Sequence, residues 1–297
     1  MYEDNSMLSW PAPVPVEPPT ARYKLVAVDL DTILQPDGTL HPVDVAALRT
    51  AHAFGVKVVL VSAKPPQALH RYWAQLGLST PVIALNGALV YDYPSHSPLS
   101  GQAIEAESER FIVQAVQRIS PTASIGLEFG DSWATNRIGP VARAIIKQTG
   151  VWPRQTGDLR SLMDEPVYQL WISALPEQLD MLQNELATHG LAMQRHTNPD
   201  LLAVSSAAAS RGTALASVAD TLQIVPDEVM AVGDSGRDRS FDQAAAFIVH
   251  VPQMGIEPEL SVGGAREIAQ SQGVAEALAR YLVPEGGDGI IWPSAER

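Results

Sequence analysis

Two aspartates one residue apart, Asp29 and Asp31, close the apolar run Leu25-Val26-Ala27-Val28. Two more, Asp234 and Asp238, follow a second such run, residues 228–232, in Gly233-Asp234-Ser235-Gly236-Arg237-Asp238. Carboxylates gathered in one place repel one another unless a hard cation sits between them. The chain has no cysteine, which excludes thiol catalysis, disulfides and Cys-based zinc sites. An oxygen donor set without a nearby His points to Mg2+. Such a site keeps positions open for water and a substrate phosphate, and it leaves one carboxylate free to attack phosphorus. Phosphoryl transfer also needs donors for the phosphate oxygens. Ser62, after the apolar run 56–61, offers a hydroxyl. Arg211 offers a rigid positive fork at the start of a helix whose dipole favours anions.

These residues converge only if the elements carrying them share a sheet. Short apolar runs at 24–30, 56–61, 81–85, 228–232 and 247–251 read as buried strands. Helices are expected at 42–54, from Pro65-Pro66 to Leu76, from Ser210 to about Leu222, and from Gly273 to Leu282. Strands alternating with helices predict an α/β, doubly wound, mostly parallel sheet, with ligands bound beyond its carboxyl edge. Pro36-Asp37-Gly38 marks a turn over the carboxylates.

The rhythm changes between residues 93 and 199. Helices at 107–119, 139–149 and 176–189 there mix with strands at 123–129, 167–174 and 191–196, each with a polar face. This reads as an α+β cap domain inserted into a core of residues 23–92 and 200–283. Residues 1–22, with Pro11, Pro13, Pro15, Pro18 and Pro19, read as an extended arm, and 284–297 as a tail. Trp133, Trp152 and Trp171 read as core aromatics of the cap. Glu128, Asp131, Trp133 and Asn136 are the cap side chains polar or aromatic enough to touch a substrate.

A net charge of −13 argues against nucleic acid or an anionic membrane as a partner. No apolar run approaches a membrane span, and Met1 to Asn5 carry no basic region of a secretory signal. The expectation is a cytoplasmic protein whose anionic ligand is met by a metal and a few basic residues.

The ordered set resembles the haloacid dehalogenase-like superfamily, in particular its Cof-type phosphatases with an inserted α+β cap of the C2 type. The resemblance covers residues 23–283. Asp29-Leu30-Asp31 matches the Asp-x-Asp of its first motif, Ser62 its second, Arg211-Gly212 its third, and Gly233-Asp234 with Asp238 its fourth. Asn86-Gly87-Ala88 matches the stretch that precedes the cap. The resemblance implies Asp29 as nucleophile and Asp31 as general acid and base. It implies Ser62, Asn86 and Arg211 as phosphate-binding residues, and a Mg2+ site built on Asp29, Asp31, Asp234 and Asp238. Asp238 would hold the outer shell of the metal or orient Arg211. The implied activity is Mg2+-dependent hydrolysis of a small phosphorylated metabolite, a sugar phosphate or phosphorylated cofactor, through an aspartyl-phosphate. Some surroundings depart from the family pattern. Thr32-Ile33 replace Gly-Thr, Arg211 replaces the usual Lys, Ala63-Lys64 follow the second motif, and Arg237 replaces an Asn. These departures motivate the alternative, a weak or inactive phospholigand-binding or regulatory protein on the same fold.

Overall fold

The structure is a computed structural model that describes residues 21–197, 200–233, 241, 244–251, 267–271 and 273–282. Most of the expected N-terminal arm, the C-terminal tail, and Asp234, Arg237 and Asp238 lie outside the described residues.

The chain opens on β1 (Leu25–Asp29), a 3-10 turn, α1 (Pro42–Ala53), β2 (Lys57–Val61), α2 (Pro66–Leu76) and β3 (Val82–Ala84). An antiparallel pair follows, β4 (Leu89–Asp92) and β5 (Ser97–Gly101). Next come α3 (Ala106–Ile119), β6 (Ser124–Glu128), β7 (Trp133–Thr135), α4 (Pro140–Thr149), β8 (Gln155–Thr156), β9 (Gln169–Ser173), α5 (Pro176–Leu186), β10 (Leu191–Thr197) and β11 (Asp200–Ser206). The chain then runs through α6 (Arg211–Thr221), β12 (Val229–Gly233), β13 (Phe247–His250), β14 (Glu267–Gln270) and α7 (Val274–Tyr281). Proline stands at the first position of α1, α2, α4 and α5, where its missing N–H costs no hydrogen bond and its fixed φ suits a helix start.

Among the described residues the strands form two sheets. The first runs β14-β13-β12-β1-β2-β3-β4-β5, parallel from β14 to β3. Both of its faces are buried, which is why β1 reads as an unbroken apolar run. Val26 and Val28 pack beneath α1, α2 and α7, while Leu25 and Ala27 pack beneath α6. Each of the fully buried Val and Leu side chains contributes about 1.5–3 kcal/mol relative to exposure. β1 lies between β2 and β12, so the strand order reverses beside it. The crevice beyond its carboxyl end is the switch point of the sheet.

The second sheet runs β10-β11-β9-β6-β7-β8. Ile125, Leu127, Leu170, Ile172, Leu202 and Val204 cover one face and pack under α3 and α5. The alternate residues, including Gly126, Glu128, Gln169, Trp171 and Ala203, stand on the other face by their pairing register. α4 covers part of that face through Val141 and Ala142 against Trp133 and Trp171. β5, in the segment expected to belong to the cap, pairs in the first sheet. β11, in the segment expected to belong to the core, pairs in the second. Trp133 and Trp171 are buried, but Trp152 is 69% exposed, so the expectation of a core role fails for it. It lies between α4 and β8, where the chain returns to the second sheet.

Candidate active site

β1 delivers Asp29 to the crevice almost wholly buried, at 4% exposure. The chain turns at once into the 3-10 segment Leu30–Thr32, and the turn is stitched to the same residue. Asp29 Oδ1 accepts from the Asp31 amide at 3.0 Å, and the Thr32 hydroxyl donates to the Asp29 carbonyl at 2.6 Å. Asp31 thereby stands at the mouth while Asp29 stays at the floor. Ile33 is buried in the core under α1 and α2 and does not crowd the crevice. The expected turn after it forms: Leu34 bridges Leu40, and the Gly38 carbonyl accepts from the α2 hydroxyl of Tyr72 at 3.1 Å.

Arg211 Nη1 donates to Asp29 Oδ2 at 2.6 Å. Burial pushes the Asp29 carboxyl above its ordinary range; the Arg211 charge opposes this, and the neighbouring charge of Asp31 adds to it. Arg211 is aimed from the first turn of α6, which Ser210 caps by accepting from the Thr213 amide at 3.1 Å. Its Nη2 and Nε donate to Asn86 Oδ1 at 2.8 and 3.3 Å. Asn86 in turn donates through Nδ2 to Gln194 Oε1 on β10, at 2.9 Å. A hydrogen-bonded chain thus runs from the nucleophile candidate to the second sheet.

Asn86 holds its place through an unusual turn. Leu85, Asn86 and Gly87 have φ of 52°, 55° and 90° in succession. A Cβ on Gly87 would stand 2.3 Å from the Ser210 carbonyl and 2.5 Å from the Arg211 nitrogen. Only glycine lets the start of α6 come this close.

At the end of β2, Ser62 is fully buried and accepts from the Lys64 amide at 3.2 Å. Lys64 Nζ reaches Asp31 Oδ1 at 3.0 Å. The sequence marks Lys64 only as a departure from a pattern. Its sign, opposite to that of Asp31 and placed at the neighbouring strand end, is the signal that identifies the pair.

Asp29, Asp31, Lys64, Asn86 and Arg211 form the core side of a cleft of about 830 Å³, within the usual range for small-molecule sites. The second sheet and α4 form the other side. Of the four cap candidates, Glu128 lines the cleft. Trp133 is buried beneath α4 and donates to the Val151 carbonyl. Asn136 bonds the backbone of Ile125 and Ala123, and Asp131 is exposed away from the cleft. Gln169, Gln194 and His196 also line it and were not singled out in the sequence, and Trp171, read there as a core aromatic, lines it too. Strand register places Gln169 and Trp171 on the face that carries Glu128. Among the described residues no three carboxylates or histidines form a metal-sized group, and Asp234 and Asp238 lie outside those residues. No described helix is long and apolar enough to cross a membrane.

The model of the haloacid dehalogenase-like hydrolase family matches residues 26–249. The chain belongs to that family. Among curated relatives of this hydrolase, a pyridoxal phosphate phosphatase of Escherichia coli K12 is 32% identical over 97 residues, a match spanning 32% of this chain and about a third, 34%, of that one. An HMP-PP phosphatase of Yersinia pestis is 26% identical over 268 residues, 88% of this chain and 96% of its own. Among solved structures, a haloacid dehalogenase-like hydrolase from Bacteroides thetaiotaomicron superposes with a TM-score of 0.71 at 20% identity, covering 87% of this chain and 99% of that one. The mixed α/β core with an appended second sheet is therefore the architecture of the family.

Proposed function

We propose that this hydrolase cleaves the phosphate monoester of a small phosphorylated metabolite, with Mg2+, through an aspartyl-phosphate on Asp29. The observation that carries the reading is Asp29 itself, held by Arg211 at the switch point of the sheet and opening into a metabolite-sized cleft. The relatives named for pyridoxal phosphate and HMP-PP support a small phosphorylated substrate.

In this reading an Asp29 oxygen attacks phosphorus while the ester oxygen departs and takes the proton of Asp31. Water then attacks the aspartyl-phosphate, Asp31 recovers a proton from it, and phosphate leaves. Arg211 and the amide end of α6 face the phosphate oxygens. The Ser62 hydroxyl accepts from the Lys64 amide and so keeps its own proton to donate. Lys64 and the Asp31 amide hold the two carboxylates apart in role, one at the mouth and one at the floor. The donors fit a hard cation: they are oxygens only, and burial, with the charge of Asp31 adding to it, raises the cost of ionising Asp29, which a cation would relieve. Asp29 and Asp31, with Asp234 and Asp238, would hold Mg2+, which supplies charge neutralisation on the phosphate. The regulatory alternative rested on crowding by Thr32, Ile33 and Arg237. Ile33 packs in the core and Thr32 braces Asp29, so these two do not support it, and Arg237 lies outside the described residues.

The test is hydrolysis of p-nitrophenyl phosphate with Mg2+ and with chelator. Activity is expected to need the metal, and Asp29→Asn is expected to abolish it while leaving the melting temperature close to that of the parent. An Asp29→Asn protein with full activity would remove the nucleophile assignment.

A further inference from the structure

On the cap side of the cleft, Glu128 is 3% exposed and its Oε2 has no hydrogen-bond partner. Trp171, also 3% exposed, has an indole Nε1 likewise without a partner. The two belong to neighbouring strands of one sheet face and both line the cleft that contains Asp29 and Arg211. Burial pushes the Glu128 carboxyl up to about 8, and the Trp171 N–H beside it holds it back a little without completing a hydrogen bond. This pair is built in. A Cβ on Gly126 would stand 1.9 Å from the Trp171 ring, so the glycine on the adjoining strand makes the space the indole occupies.

Unpaired buried polar groups are costly, and buried carboxyls are nearly always partnered. Two of them, side by side and facing the ester-binding region, imply that the ligand brings the missing partner. The rest of that side narrows its nature. Among the described residues no Lys or Arg from the cap lines the cleft, and the basic side chain there, His196, is pushed toward its neutral form by burial, so that side is poorly equipped for a second phosphate. Val141, Ile145 and Leu201 pack with Trp171 and make the part of the wall beside it apolar, while Gln148, Thr149 and Gln169 also line that side. A carboxyl beside an indole N–H in an apolar recess suits a nitrogen base. The carboxyl and the base can share one proton, and the pairing restores what burial cost the carboxyl.

We propose that the cleft takes a phosphate monoester whose organic part is a compact, largely apolar frame bearing a basic nitrogen, and that Glu128 is the partner of that nitrogen. The proposal rests on the phosphatase reading above and names the substrate class for that same site. Glu128 acts here as a specificity residue, with Trp171 beside it.

The experiment compares two nearly isosteric esters, 3-pyridylmethyl phosphate and benzyl phosphate, which differ by the ring nitrogen, and adds glucose 6-phosphate. With Mg2+ present, kcat/KM for the pyridyl ester is expected to exceed that for the benzyl ester by roughly tenfold or more, as for sites built around one substrate hydrogen bond. Glu128→Gln is expected to bring the ratio to within about twofold of unity. Trp171→Phe, which keeps an aromatic ring but removes the N–H, is expected to lower it partway. A ratio near unity in the parent, a ratio that survives Glu128→Gln, or a preference for glucose 6-phosphate over both would each overturn the proposal. If no ester is hydrolysed, the phosphatase reading fails, and calorimetry with 3-pyridylmethyl phosphonate and benzyl phosphonate still decides the specificity. Tighter binding of the pyridyl compound that is lost in Glu128→Gln supports the proposal, and equal binding overturns it.

Discussion

Gly87 brings no side chain to the site, yet its close approach to the start of α6 makes it the residue on which the site turns. Adding one methyl group there collides with the backbone of Ser210 and Arg211, at a φ that L side chains rarely adopt. Backbone atoms cannot swing aside as a long side chain can, so the start of α6 must shift. Arg211 then leaves its place against Asp29, and misplacement of about 1 Å can cost on the order of a hundredfold in rate. Gly87→Ala is therefore expected to lower kcat on p-nitrophenyl phosphate by roughly tenfold to a hundredfold. Circular dichroism should show a folded protein, and unchanged kcat would mean that the loop does not set the position of Arg211. At this scale the sequence is legible where chemistry is concentrated. Asp29, Asp31, Asn86 and Arg211 are recognisable because unlike residues recur at successive strand ends, and the structure brings these four together. Lys64, Trp171 and Gln194 were not read as site residues, because their importance comes from partners on other elements: Lys64 finds Asp31, and Gln194 finds Asn86. No periodicity in the sequence encodes such a pairing.

Elements tell the same story in a different currency. Every strand of the parallel sheet up to β13 is visible as an apolar run, because burial on both faces leaves no alternation to confuse. The two-residue β8 and the three-residue β7 are too short to carry a period, and β11 looks like a return to the core because its apolar stretch resembles a buried strand. Its place in the second sheet is decided by pairing with β10 and β9. Helix ends hold a further surprise. α7 begins after Gly273, which offers no side-chain cap, and the Ala275 amide is answered from another helix by Asp44 Oδ1 at 2.8 Å. Burial raises the pKa of Asp44, and the Ala275 N–H is the chief force opposing the rise. Asp44→Ala is expected to cost about 1–2 kcal/mol, the usual worth of a cap, with the loss concentrated in α7. Asp44→Asn keeps an acceptor oxygen and should lose much less. Urea unfolding of the two variants checks this, and equal losses would show that space filling rather than the hydrogen bond matters.

The whole molecule joins its two sheets at the mouth of the site, where Asn86 and Gln194 meet. The pairing of β5 in one sheet and β11 in the other places the crossings near residues 102 and 206. A division drawn there leaves the first sheet complete. Replacing residues 102–206 with a short Gly/Ser linker is expected to give a core that melts cooperatively and retains Asp29, Arg211 and Lys64. With the wall that carries Glu128 and Trp171 removed, it should hydrolyse different esters at similar, low rates. An insoluble or unfolded product would show that the inserted part is needed to hold the core.

The central position of β1 also sets a timetable for synthesis. Its partner on one side, β2, follows after a single helix, whereas its partner on the other, Leu25 against Val229, leaves the ribosome only after the entire second sheet has been made. At ordinary elongation rates that is an interval on the order of ten seconds or more. Through it β1 offers a bare row of amide and carbonyl groups, the kind of edge to which foreign strands attach. The inserted segment has time to fold first, and the half-built core must wait beside it. The strand that carries Asp29 thus waits, open on one side, from the start of synthesis until β12 is made, and a chain halted before β12 keeps that edge open for as long as it survives.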